Sequence, residues 1–116
     1  MKLILSILAS LIFRVAFVGD PQVNSQDEVR YARNSILKEL SCRKDLDIVI
    51  FLGDIVNNKP DLMEEMRNSF DSLPCPWFSV RGNHDKPEPY MNNFGPLDTL
   101  LEAGRATFLL RDKRWS

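Results

Sequence analysis

Apolar positions in this chain fall into short unbroken runs that alternate with stretches of helical spacing, and the runs end in polar, glycine-bearing turns. The first, Arg14-Val-Ala-Phe-Val-Gly19, is rich in β-branched and aromatic residues and stops at Gly19-Asp20-Pro21, which predicts a buried strand. Ser25 then stands where a helix needs a cap, with Asp27 and Glu28 in the first turn, where the macrodipole favours acids. Val29, Ala32, Ile36, Leu37 and Leu40 recur at helical spacing as far as Arg43-Lys44. Asp47-Ile-Val-Ile-Phe-Leu52 is the strongest strand signal, with five consecutive apolar residues before Gly53-Asp54. Unbroken apolarity implies cover on both faces, as in a parallel sheet. Asp61 to Leu73 predicts a second helix with Leu62, Met66, Phe70 and Leu73 on one face, a core stripe ended by Pro74-Cys-Pro76. Trp77 to Val80 predicts a third strand running into Arg81-Gly82-Asn83-His84-Asp85. The polar, proline-bearing stretch from Lys86 to Pro96 reads as loop, Leu97 to Ala103 as a short helix, and Arg105 to Leu110 as a fourth strand.

Strands alternating with helices predict an α/β domain with a mostly parallel sheet. In such sheets ligands bind at the carboxyl edge of the strands. The polar residues gather there, in Gly19-Asp20-Pro21-Gln22, in Gly53-Asp54-Ile55-Val56-Asn57-Asn58 and in Gly82-Asn83-His84-Asp85. If the three strands are neighbours, Asp20, Asp54, Asn83 and His84 share one rim. Two carboxylates, an amide oxygen and an imidazole suit a hard or mixed metal site.

Composition narrows the function class. The chain has 116 residues, 15 basic and 16 acidic side chains and a formal net charge of -1. That length predicts one domain. Residues 1–60 hold 8 basic and 7 acidic groups and residues 61–116 hold 7 and 9, so neither half has the basic footprint of a nucleic-acid binder. Cys42 and Cys75 have no zinc spacing and read as two small, semi-buried apolar side chains, with a single bridge the alternative if the protein is exported. Lys2 followed by the apolar run from Leu3 to Phe13 has two readings. It has the shape of a secretory signal in residues 1–13, placing the protein outside the cytoplasm, or it is a buried element feeding the core of a cytoplasmic one. The run is too short for a transmembrane helix.

The order of the three turns resembles the calcineurin-like metallophosphoesterases, with Gly82-Asn83-His84-Asp85 after an aromatic strand the most specific part. Phe94-Gly95-Pro96 is also similar to a segment that precedes a later strand in that family. The resemblance implies a partial αββα sandwich whose first sheet has mostly parallel strands with intervening helices. It also implies a phosphoester substrate and two divalent ions (manganese, iron, zinc or magnesium). By position, Asp20 and Gln22 would face the first metal, Asp54 would bridge both, and Asn83 would face the second. His84 would act on the substrate as general acid or charge stabiliser, with Asp85 orienting its ring. Gln22 stands where most members have histidine, in an Asp-Pro-Gln variant of the first motif, and Asn57 stands where many have aspartate. Family members carry two later histidine motifs, whereas His84 is the one histidine of this chain. Residues 14–116 are therefore expected to form the amino-terminal half of such a domain, with a carboxyl-terminal half as its missing partner and metal binding incomplete.

Three functions follow from this reading. The first is a metal-dependent hydrolase of phosphoric esters, a phosphatase or phosphodiesterase. The second is an inactive half-domain that pairs with another chain. The third is an unrelated Rossmann-like binding module, for which no Gly-x-Gly-x-x-Gly is present.

Overall fold

The computed structural model describes residues 13–103 and 106–112. Residues 1–12, which hold most of the apolar amino-terminal run, along with Gly104, Arg105 and residues 113–116, lie outside that description. Three parallel strands form the main sheet in the order β1 (Val15–Val18), β2 (Ile48–Phe51), β3 (Trp77–Ser79). The register pairs Val18 with Phe51 and Phe51 with Ser79, so the carboxyl ends of all three strands are level and their turns are neighbours.

Between β1 and β2 runs α1 (Gln26–Ala32), which continues through a π-helical turn (Arg33–Leu37) into α2 (Lys38–Ser41). Ser25 caps it by accepting the N–H of Glu28 on Oγ at 3.2 Å, and the Glu28 carboxylate accepts the N–H of Asn24. The first bond satisfies a donor that a helix start leaves open, and the second ties the residue before the cap to the first turn. The π-turn changes the buried face. Val29, Ala32, Leu37 and Leu40 are buried, while Ile36 is 41% exposed, against the regular spacing expected from the sequence. One extra residue per turn rotates Ile36 outward and brings Leu37 in.

Between β2 and β3 a 3-10 turn (Pro60–Leu62) leads into α3 (Met63–Asp71). Leu62, Met66, Phe70 and Leu73 are all buried, as their spacing predicts. Phe70 lies flat on Phe51 with ring centroids 3.7 Å apart and planes at 8°, and Trp77 meets it edge-on at 5.2 Å. Burying one such ring stabilises by about 1.5–3 kcal/mol.

Two expectations fail beyond β3. Residues read as loop form α4 (Pro87–Phe94), because proline is tolerated in the first turn of a helix, where its missing N–H would bond nothing. Residues read as a short helix form β4 (Thr99–Ala103), which pairs antiparallel with β5 (Ala106–Leu110). Cross-strand pairing of Leu101 with Phe108 and Thr99 with Leu110 overrides the helical preference of leucine. This hairpin is a second, separate sheet rather than an extension of the first.

The resulting order is helices, parallel sheet, hairpin. Val49 and Phe51 face the helices, whereas Ile48 and Ile50 face Leu110, Leu101 and Phe108 of the hairpin. All four residues of β2 are buried, which explains its unbroken apolar sequence. Both cysteines are free thiols, with Cys75 half-buried and Cys42 exposed rather than semi-buried. Among the described residues no helix is long and apolar enough to cross a membrane.

Candidate functional site

The three turns meet at the level carboxyl ends of β1, β2 and β3 and are stitched together by backbone bonds. The N–H of Gln22 donates to the carbonyl of Asp54 at 2.7 Å, and Val23 N–H donates to Ile55 at 3.1 Å. Asn57 N–H returns to Val23 at 2.9 Å, and Asn58 N–H donates to the carbonyl of His84 at 3.0 Å. The first turn is thus fixed to the second, and the second to the third.

Asp20, Gln22, Asp54 and Asn58 all have positive φ, at 33°, 46°, 46° and 56°. For a residue with a Cβ this region costs about 1–3 kcal/mol and concentrates at functional sites. Asparagine and aspartate visit it most readily, so Gln22 is the unusual member.

The second and third turns approach so closely that glycine is required. A Cβ on Gly82 would stand 2.0 Å from Oδ1 of Asp54 and 2.1 Å from its backbone nitrogen. Gly53, at φ +98°, faces Gly82 from the other side, where a Cβ would lie 3.0 Å from the Gly82 nitrogen. Into the space left by the missing side chain, Oδ1 of Asp54 accepts the N–H of His84 at 2.9 Å. Asp54 is half-buried at this junction, while Asp20, Gln22 and Asn83 are exposed along the rim.

Asp85 is placed differently from its expected role beside the histidine ring. Its carboxylate is fully buried beneath the turns, accepting Ile55 N–H at 3.1 Å and Gly82 N–H at 3.0 Å on Oδ2, and Val56 N–H at 3.0 Å on Oδ1. Burial pushes its carboxyl above the usual range. The N–H groups of Val56, Gly82 and Ile55 pull it back, and the nearby Asp54 charge adds to the rise. The partner of the ring is Asn58, whose Nδ2 lies 3.1 Å from Nδ1 of His84. With the amide as donor, Nδ1 accepts and the neutral ring carries its proton on Nε2. Asn58 had no assigned role in the sequence reading, although it closes the second polar turn. Arg81 and Asp112 were also missed: Arg81 Nε donates to Asp112 Oδ1 at 2.8 Å and Nη2 to Oδ2 at 3.1 Å.

Among the described residues, no three His, Cys, Asp or Glu side chains form a group that could hold a metal ion. The rim supplies Asp20 and Asp54 as carboxylates, Gln22 and Asn83 as amides, and His84 as the imidazole. By type these are donors that divalent ions accept, and they number too few for two complete shells.

Three comparisons bear on this arrangement. The sequence profile of the calcineurin-like phosphoesterases matches residues 13–111. A probable glycerophosphodiester phosphodiesterase, GpdQ, of Arcobacter nitrofigilis is 25% identical over 107 residues, covering 84% of this chain and 39% of that protein. The crystal structure of AQ665, a protein of unknown function from Aquifex aeolicus, shares the fold with a TM-score of 0.53 at 20% identity, over 84% of this chain and 59% of that one. The chain therefore spans about two-fifths of the length of its curated relative. Because the profile runs through β1, β2, β3 and every turn that builds the rim, the chain belongs to the calcineurin-like phosphoesterase family.

Proposed function

We propose that the rim is the amino-terminal part of a metal-dependent phosphoester hydrolase site, and that this chain alone holds metal weakly and turns over little or no substrate. Asp54 would stand between two divalent ions, with Asp20 and Gln22 toward the first and Asn83 toward the second. When bound, such a pair supplies hydroxide at neutral pH and charge stabilisation for the phosphoryl oxygens. His84 would face the ester with its Nε2–H donating a hydrogen bond to a phosphoryl oxygen, which stabilises the charge that develops there. Asn58 keeps that proton on Nε2 by donating to Nδ1. Asp85 holds the second and third turns together from below.

The observation that carries this reading is the clasp between Asp54 and the Gly82–Asp85 turn. Gly82 must lack a side chain there, and the N–H of His84 lies on the Asp54 carboxylate. Neither a loop acid nor a helix cap needs that fit. The absence of a three-residue His, Cys, Asp or Glu group among the described residues favours the second reading, a half-domain inert by itself and completed by a further segment or chain. The name of the curated relative makes phosphodiesters the first substrates to assay.

The test is a titration with Mn²⁺, reading the free ion by electron paramagnetic resonance, on the wild type and Asp54→Ala. Hydrolysis of bis(4-nitrophenyl) phosphate and 4-nitrophenyl phosphate is measured beside it. Weak binding that disappears in Asp54→Ala, with little turnover, is the expected result. Binding unchanged in Asp54→Ala overturns the metal assignment. Robust metal-dependent hydrolysis lost in that variant overturns the half-domain part.

A further inference from the structure

A buried ion pair lies directly behind the turn that carries Asn83 and His84. The Asp112 side chain is 0% exposed and that of Arg81 is 13% exposed. The guanidinium presents Nε and Nη2 to the two oxygens of Asp112, a forked geometry that lysine cannot reproduce. Its third nitrogen, Nη1, points the other way, donating to the carbonyl of Asp85 at 2.7 Å and to that of Gly82 at 3.3 Å. Those carbonyls are the two ends of the turn, which Asp85 N–H closes onto Gly82 at 3.1 Å. Asp112 follows β5, and its own N–H is held by Oδ1 of Asp98, the residue before β4, at 2.8 Å. One guanidinium thus joins both ends of the site turn to both ends of the hairpin.

We propose that Arg81, anchored by Asp112, is a positioning residue for Asn83 and His84, so that the rim depends on the hairpin as well as on the parallel sheet. The proposal rests on the function given above for its purpose, while its geometry stands apart from any metal. Without the fork, the Gly82 and Asp85 carbonyls lose their charged donor. The turn then no longer delivers the N–H of His84 to Asp54 or the amide of Asn83 to its place on the rim. Arg81→Lys keeps a positive charge for Asp112 but cannot span both groups, which makes it the informative variant.

Amide hydrogen exchange at His84 and Gly82 tests this without metal, with the Val49 amide, bonded at 3.1 Å to Pro76, as the reference for the sheet. In Arg81→Lys and in Asp112→Asn, exchange at His84 and Gly82 should quicken by about tenfold or more, the scale of one lost hydrogen bond to a charged donor. Val49 should stay near its wild-type rate, and the Mn²⁺ affinity of the same samples should fall with the loosening of the turn. Unchanged protection at His84 overturns the proposal. Equal acceleration at Val49 overturns it as well, because the pair would then support the whole domain and not the turn. If the wild type shows no Asp54-dependent Mn²⁺ binding, the proposed function falls, and the exchange result still decides the role of Arg81.

Discussion

Replacing Gly82 by alanine is the sharpest steric perturbation the structure offers. The added Cβ would lie 2.0 Å from Oδ1 and 2.1 Å from the backbone nitrogen of Asp54, short of ordinary van der Waals contact at 3.4 Å by 1.4 Å. A carboxylate alone could swing aside, but the Asp54 nitrogen belongs to a turn fixed through Gln22 N–H on one side and His84 N–H on the other. Relief therefore requires the second and third turns to separate. Overpacking of this kind costs about 1–3 kcal/mol. Separation also removes the bond from His84 N–H to the Asp54 carboxylate, about 1.5–3 kcal/mol for a charged acceptor. The expected loss is roughly 2.5–6 kcal/mol, a large share of the total of about 5–15 kcal/mol typical of a domain. Urea unfolding followed by far-ultraviolet circular dichroism measures it, with Gly19→Ala as the control, since a Cβ there meets nothing within 4 Å. A loss below about 1 kcal/mol for Gly82→Ala, within the range of a neutral surface change, would refute the close-approach argument.

Two further outcomes follow from the same geometry. Gln22→His should tighten Zn²⁺ binding, because imidazole suits zinc or iron better than an amide oxygen does; equal or weaker affinity in a Zn²⁺ titration would mean that position 22 does not face a metal. Tyr90 is buried against β3 with its hydroxyl 2.6 Å from Ser79 Oγ, and burial pushes its phenol up to about 12 from 10.0. Its folded pKa lies above the unfolded one, so this contribution is fully present below pH 10 and is lost as pH rises toward 12. The loss amounts to about 2–3 kcal/mol, and Tyr90→Phe should remove that part of the pH dependence in urea unfolding between pH 9 and 12.

The parts of the fold legible in the sequence are those whose residues answer to one constraint. β2 is covered on both faces and reads as an unbroken apolar run, and α3 packs one stripe and shows one period. Where two constraints compete, local pattern misleads. Pro87 and Pro89 look like loop residues, yet they occupy the first turn of α4, and four residues apart the buried Tyr90 and half-buried Phe94 pack on the core. Leu100 and Leu101 favour a helix in isolation, but only Leu101 packs inward once β5 pairs beside it. The candidate site shows the same division. Its turns were visible because glycine, acid and amide cluster at three strand ends. Asn58 beside the His84 ring, the buried place of Asp85 and the pairing of Arg81 with Asp112 depend on contacts between residues 26 or more positions apart, which no local pattern encodes.

The π-turn after α1 has a consequence for how the length of this chain can vary. Buried residues on either side of it, Ala32 and Leu37, are five positions apart, one more than a regular helix would place on the same face. Arg33 is engaged with Ser69 on α3, whereas Asn34 is exposed. Deleting Asn34 alone would bring the two buried positions to regular spacing and let α1 and α2 join as one uninterrupted α-helix over an unchanged core. Relatives that differ from this chain by a single residue in the first helix can therefore share its packing, and an alignment gap at Asn34 marks a change of winding rather than of fold.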